Sequence, residues 1–211
     1  MEINMEGINQ VHVNAKVGLD FAQVLRSFLR QDPDVLMVGE IRDLETAEIA
    51  IKAAQTSHLV LSTVHTNSAP ETINHLLNMG VPAYNIASSL TLIIAQRLAR
   101  RLCKYCAEPE TNIPDSALKE LGFTDELLKS ATIMKPVGCK QCRNGCSGRV
   151  GVYEVVKVSK EIAGNILNGA NIFELEESMR NAGFFDLRTA ALKKCAAGII
   201  SLEEVGRVTV D

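Results

Sequence analysis

Val35-Leu36-Met37-Val38-Gly39-Glu40-Ile41-Arg42-Asp43 reads as a short, wholly apolar strand that stops at a glycine and an acid. Four apolar residues without alternation predict a strand covered by helices on both faces, the pattern of a parallel sheet in an α/β protein. The flanks agree. Asp20 is placed to cap a helix whose Phe21, Val24, Leu25, Phe28 and Leu29 recur at helical spacing until Asp32-Pro33 stops it. Asp43 or Thr46 can cap a second helix with Leu44, Ala47, Ile51 and Ala54 as its apolar stripe. Leu59-Val60-Leu61-Ser62-Thr63-Val64 then reads as another strand, followed directly by His65-Thr66-Asn67. Neighbouring parallel strands joined by a crossover helix bring their carboxyl ends to one edge, so Glu40 and His65 are expected to share it. In open α/β sheets that edge is where ligands bind.

Outward from this unit, residues 9–14 alternate apolar and polar and predict a short strand with His12 on its polar face. Helices are expected over 70–79, with Ile73, Leu76 and Leu77 inward, and from Ala83 to about Leu102, with Gly80-Val81-Pro82 as the turn between them. After Leu102 the composition shifts towards prolines (Pro109, Pro114, Pro136) and charges, with short helical patterns at 116–121 and 124–128. A strand is expected over 150–158, and helices over 163–167, 172–181, 186–197 and 202–208. The expected division is an α/β core over 1–102, a cysteine-bracketed segment over 103–147 and a mainly helical tail over 148–211.

With 46% hydrophobic residues in a chain of 211, there is enough material for a sizeable core and a satellite. A net charge of -3 with interspersed signs argues against a nucleic-acid footprint or a polybasic membrane patch. The apolar run from Ile86 to Ala95 is too short to span a bilayer and is broken by Ser88, Ser89 and Thr91. Met1-Glu2-Ile3-Asn4 lacks the features of a signal peptide, so the cytoplasm is the expected compartment.

In that compartment the six cysteines are expected to be reduced, and four of them form two matched pairs, Cys103-Lys104-Tyr105-Cys106 and Cys139-Lys140-Gln141-Cys142. Four thiolates from two tight turns can close a tetrahedron around Zn²⁺, and the spacing favours that over a redox C-x-x-C. No position is left open for water, so the metal would be structural. Gly138 eases the second turn, and the metal is expected to hold together a hairpin with little core of its own. Cys146 lies close enough in sequence to compete as a ligand, whereas Cys195 reads as a small core residue.

An acid ending a buried strand is how phosphate-loop enzymes place a carboxylate near Mg²⁺ and the attacking water. Many α/β strands end in an acid that only caps a turn, and Glu40 gains weight from Arg26, Arg30, Arg42, His65 and Thr66 around it. Arg26 and Arg30 can equally pair with surface acids, and Arg100, Arg101 and Lys104 read as a solvated basic run. No G-x-x-x-x-G-K-[ST] phosphate loop occurs in the chain.

The run from Leu25 to Ala47 resembles the Walker B region of the traffic ATPases that power type II secretion and type IV pilus assembly. Leu61 to Asn67 resembles their His box, Gln96-Arg97-Leu98 the turn after their core, and the cysteine pairs their tetracysteine subdomain. Gly148 to Glu154 and Leu202 to Val205 resemble the family's tail, so the likeness spans essentially the whole chain. It implies a partial RecA-like core with an inserted zinc subdomain and a helical tail. It further implies a homo-hexameric cytoplasmic ATPase, using ATP and Mg²⁺, that works at an inner-membrane platform protein without inserting into the membrane. Glu40 matches the Walker B acid, His65 the His-box histidine, Arg26, Arg30 and Arg42 the surrounding arginines, and Cys103, Cys106, Cys139 and Cys142 the zinc ligands. Cys146 stands where the family usually has an aromatic residue. The family's retraction motors lack the cysteine insertion, which points to the assembly or secretion branch. The family's phosphate loop lies upstream, Glu2 standing as the last trace of its acidic box, so this chain alone is expected to be silent. A competing expectation is a zinc-stabilised module that docks the platform protein without chemistry.

Overall fold

A computed structural model describes residues 3–209, so Glu2 lies outside the described residues. The chain divides into two compact units, one from residues 3–65, Thr72–Thr91 and Ser159–Asn171, the other from Thr66–Glu71, Leu92–Val158 and residues 172–209.

In the first unit, β1 (Val35–Val38) and β2 (Leu59–Ser62) pair in parallel, Val35 opposite Leu59 and Val38 opposite Ser62. They are joined by α2 (Leu44–Gln55), which is capped by Asp43: its carboxylate accepts the Thr46 N–H at 2.7 Å. The buried stripe of α2 is Thr46, Ala47, Ile49, Ala50 and Ala53 rather than one through Ile51 and Ala54. Helix α1 (Phe21–Phe28), capped by Asp20, sets Ala22 and Leu25 against Leu36, Val38 and the α2 alanines. The helix runs on as a single 3-10 turn to Gln31 and is ended by Asp32 at φ 52.

The expected two-sided cover of β1 is found on one side only. Leu36 and Val38 are buried, while Val35 and Met37 on β1 and Leu59 and Leu61 on β2 are exposed. The helices α1 and α2 pack on the same face, and side chains of alternate strand residues point to the other. The strand expected at residues 9–14 does not form, since the only pairing there is an isolated bridge between Asn14 and Leu19. Helix α3 (Ala69–Asn78) buries Ile73 and Leu76 as expected, and α4 (Ala83–Ser89) packs on α2 and on α7 (Lys160–Leu167).

The helix expected to run from Ala83 to Leu102 stops at Ser89. Residues Leu92–Leu102 form the strand β3, paired antiparallel with β6 (Cys146–Lys157) in the second unit. The side chains explain the switch: Ile93, Ala95 and Ala99 are buried, while Ile94, Gln96 and Leu98 between them face out, a two-residue period. Gln96-Arg97-Leu98 is therefore mid-strand, not a turn.

One face of this ribbon is covered by α9 (Leu187–Ala196) and α10 (Leu202–Thr209), whose Leu187, Ala191, Leu192, Cys195, Val205 and Val208 meet Ala95, Ala99 and Val152. Cys195 is a core residue, as expected. Between the cysteine pairs lie β4 (Glu108–Pro109), α5 (Asp115–Glu120), α6 (Asp125–Lys129) and β5 (Met134–Lys135). This segment is not core-poor: Leu118 and Phe123 are buried in the same cluster as α9 and α10. Helix α8 (Ile172–Asn181) completes the unit.

Glu204, at 2% exposure, fastens α10 to β3. Its carboxylate accepts from the Arg100 side chain at 2.8 Å and from Arg207, which also donates to the Leu98 carbonyl. Burial alone would raise this carboxyl, but the Arg207 and Arg100 guanidinium groups and the Arg100 backbone N–H bring it down to about 2. With the folded value below the ordinary 4.5, the stabilisation is present above about pH 4.5 and disappears as pH falls through 2. Urea unfolding should show stability falling across that window. Glu204→Gln should remove roughly 2–3 kcal/mol at pH 7 and flatten the acid dependence between pH 4.5 and 2.

Candidate functional site

The carboxyl ends of β1 and β2 are tied together beyond the sheet proper. The Ile41 N–H donates to the Thr63 carbonyl at 3.0 Å, and the Thr63 hydroxyl donates to the Gly39 carbonyl at 2.6 Å. Glu40 lies between those anchors. Its Oε2 accepts from Arg42 Nε at 2.7 Å and lies 3.1 Å from His65 Nε2. The acid and the histidine expected to share an edge are thus in contact. The carboxylate is the sheltered partner, 22% exposed against 68% for Arg42 and 82% for His65. The Arg42 hydrogen bond draws the Glu40 carboxyl below its ordinary value against the opposing effect of burial, with help from His65. Such a carboxylate stays ionised at neutral pH and can accept a proton or face a cation.

The other arginines stand apart from this group. Arg26 pairs with Glu45 at 2.6 Å, the alternative the helical spacing left open. Arg30 is exposed on the 3-10 turn after α1 and has no ion pair among the described residues. Thr63, which ties the two strand ends, carried no sequence signal because its role depends on strand register.

The four paired cysteines converge in the second unit, their Sγ atoms all within 4.8 Å of one another. Cys103 to Cys139 is 3.9 Å, Cys106 to Cys142 is 3.7 Å and Cys139 to Cys142 is 3.7 Å. A tetrahedron with Zn–S bonds of about 2.3 Å has edges of about 3.8 Å, so this set fits a metal ion of that size. Backbone N–H groups point at the sulfurs: Gly138 at Cys106 (3.3 Å), Cys139 at Cys142 (3.2 Å) and Gln141 at Cys139 (3.4 Å). Donors of this kind favour thiolates over thiols. Cys146 stands outside the set, opposite Leu102 at the β3–β6 bulge, with its thiol pushed up by burial.

Two glycines shape the second knuckle, of which sequence reading named Gly138 (φ +124) and missed Gly145. Gly145 sits at φ +75, and a Cβ there would lie 2.4 Å from the Pro136 Cβ, so only glycine fits. Its carbonyl accepts the Cys103 N–H at 2.9 Å, joining one knuckle to the other.

No helix among the described residues is long and apolar enough to cross a membrane. Residues 1–207 match the family described as type II/IV secretion system protein. The type IV pilus assembly ATPase PilB of Pseudomonas aeruginosa is 59% identical over 211 residues, covering 100% of this chain and 37% of that protein. Type II secretion system protein E of Klebsiella pneumoniae is 43% identical, covering 99% of this chain and 41% of its own length. Among solved structures, the pilus retraction motor PilT with bound ADP superposes with a TM-score of 0.64 at 27% identity, over 91% of this chain and 44% of that one. The chain thus spans about two-fifths of the length of these two relatives. On the match of nearly its whole length, this chain belongs to the type II/IV secretion system protein family.

Proposed function

We propose that this chain supplies the edge bearing the catalytic carboxylate and a structural zinc lobe of a hexameric, cytoplasmic ATPase that drives type IV pilus assembly or type II secretion at an inner-membrane platform protein. The observation that carries the reading is the contact of Glu40 with His65 and Arg42 at the carboxyl edge of a parallel strand pair. In this reading the pair belongs to a RecA-like core. Residues 1–102 hold the catalytic edge, 103–147 the zinc lobe and 148–211 the tail. Glu40 orients the water that attacks the γ-phosphorus of ATP and takes its proton as the bond to the departing ADP oxygen breaks, and His65 holds the carboxylate beside it. Arg30 is the surface arginine available to nucleotide or to a neighbouring subunit, whereas Arg26 would first have to leave Glu45.

Cys103, Cys106, Cys139 and Cys142 would hold the zinc, which fixes the two knuckles and has no open position for chemistry. Emission spectrometry on protein purified without added metal should find about one equivalent of zinc. Replacing Cys103 and Cys139 by Ser should release it, and less than about half an equivalent in the unaltered protein contradicts the assignment.

The fingerprint of a phosphate loop is absent from the sequence, so nothing on this chain supplies the backbone cradle and lysine that grip β- and γ-phosphates. Calorimetric titration of this chain with Mg-ATP should give no binding tighter than roughly millimolar, about 4 kcal/mol. Joined to the phosphate-loop segment of a relative such as PilB, the protein should hydrolyse ATP, and Glu40→Gln should lower kcat by at least about a hundredfold. Unchanged turnover in that variant would show that Glu40 is not the catalytic base.

A further inference from the structure

We propose that Arg42 is a positioning residue for Glu40, not a nucleotide-binding arginine: with His65 it holds Oε2 and leaves Oε1 as the oxygen that accepts the proton. The inference rests on the reading of Glu40 as the base. Both side chains converge on the same atom, Arg42 Nε at 2.7 Å and His65 Nε2 at 3.1 Å. Among the described residues Oε1 accepts no hydrogen bond. Glu40 and Arg42 stand two residues apart in the segment that follows β1, so the contact is local.

The backbone around Arg42 is held on both sides. Ile41 before it donates to Thr63, and Asp43 after it caps α2 through the Thr46 N–H. A side chain whose neighbours are pinned in this way reaches its partner with little loss of freedom on forming the bond. The charged and titratable groups facing Glu40 are Arg42 from its own segment and His65 from the segment after β2; Arg26 is engaged with Glu45. A guanidinium keeps its charge at every working pH, whereas an imidazole does not, so the constant part of the clamp comes from Arg42. Its hydrogen bond is also the largest influence lowering the Glu40 carboxyl.

The direct test is a carbon-13 NMR titration of the Glu40 carboxyl in this chain, unaltered and as Arg42→Gln, Arg42→Lys and Arg26→Gln. The unaltered carboxyl should titrate below the ordinary carboxylate value. Arg42→Gln should move it up, Arg42→Lys should fall between, and Arg26→Gln should overlay the unaltered curve. A Glu40 curve indifferent to Arg42→Gln overturns the proposal and leaves the catalytic reading of Glu40 standing. In the phosphate-loop-containing protein, Arg42→Gln should lower kcat by more than about tenfold with the KM for ATP within about threefold, and Arg42→Lys should recover part of it. A raised KM at unchanged kcat would make Arg42 a nucleotide ligand and overturn the positioning role. Unchanged turnover in Glu40→Gln would remove the base, and the positioning role with it, whatever the titration shows.

Discussion

The parallel register of β1 and β2 is the constraint on which the candidate site depends. Val38 opposite Ser62 sets the strands so that the next residues, Gly39 to Ile41 on one side and Thr63 to His65 on the other, leave the sheet side by side. Two hydrogen bonds through Thr63 continue the pairing for those residues. A slip of one residue would turn Leu36 and Val38 out of the core and take Thr63 away from Gly39. The buried side chains of α1 and α2 oppose that slip, because Leu36 and Val38 are the strand residues they cover. Packing thus fixes register, and register fixes the distance between an acid and a histidine 25 positions apart.

The second unit divides its stabilisation differently. Its ribbon is closed by α9 and α10 through apolar contact and by one buried carboxylate held between Arg100 and Arg207. The segment between the cysteine pairs joins that core through Leu118 and Phe123, so the four thiolates bear on the knuckles themselves. Gly145 links the levels, since its close approach to Pro136 and its bond to Cys103 bring the second knuckle against the first. A metal there would lock two turns that the backbone has already brought within bonding distance of one ion.

Much of this was legible in the sequence wherever one local rule governed. Asp20 and Asp43 cap as their positions suggest, the cysteine pairs converge as their spacing suggests, and the strand, helix, strand order puts Glu40 beside His65. The misreadings share a cause. Residues 92–102 are rich in Leu, Ile, Ala and Arg, which suit a helix, yet pairing with β6 makes them a strand, a tertiary preference that local propensity does not carry. Residues 9–14 show the converse, an alternating pattern with no neighbouring strand to pair with among the described residues. Arg26, Arg30 and Arg42 looked alike in sequence. Only the path of the chain after β1 separates Arg42, bonded to Glu40, from Arg26, bonded to Glu45.

The most direct test of the placement of Glu40 is a crystal structure of the phosphate-loop-containing protein with Mg²⁺ and a non-hydrolysable ATP analogue. The account requires a water between Glu40 Oε1 and the γ-phosphorus, within about 3 Å of the carboxylate, with His65 beside it. A γ-phosphate bound away from the carboxyl edge of β1 and β2, with no water at Oε1, would contradict it.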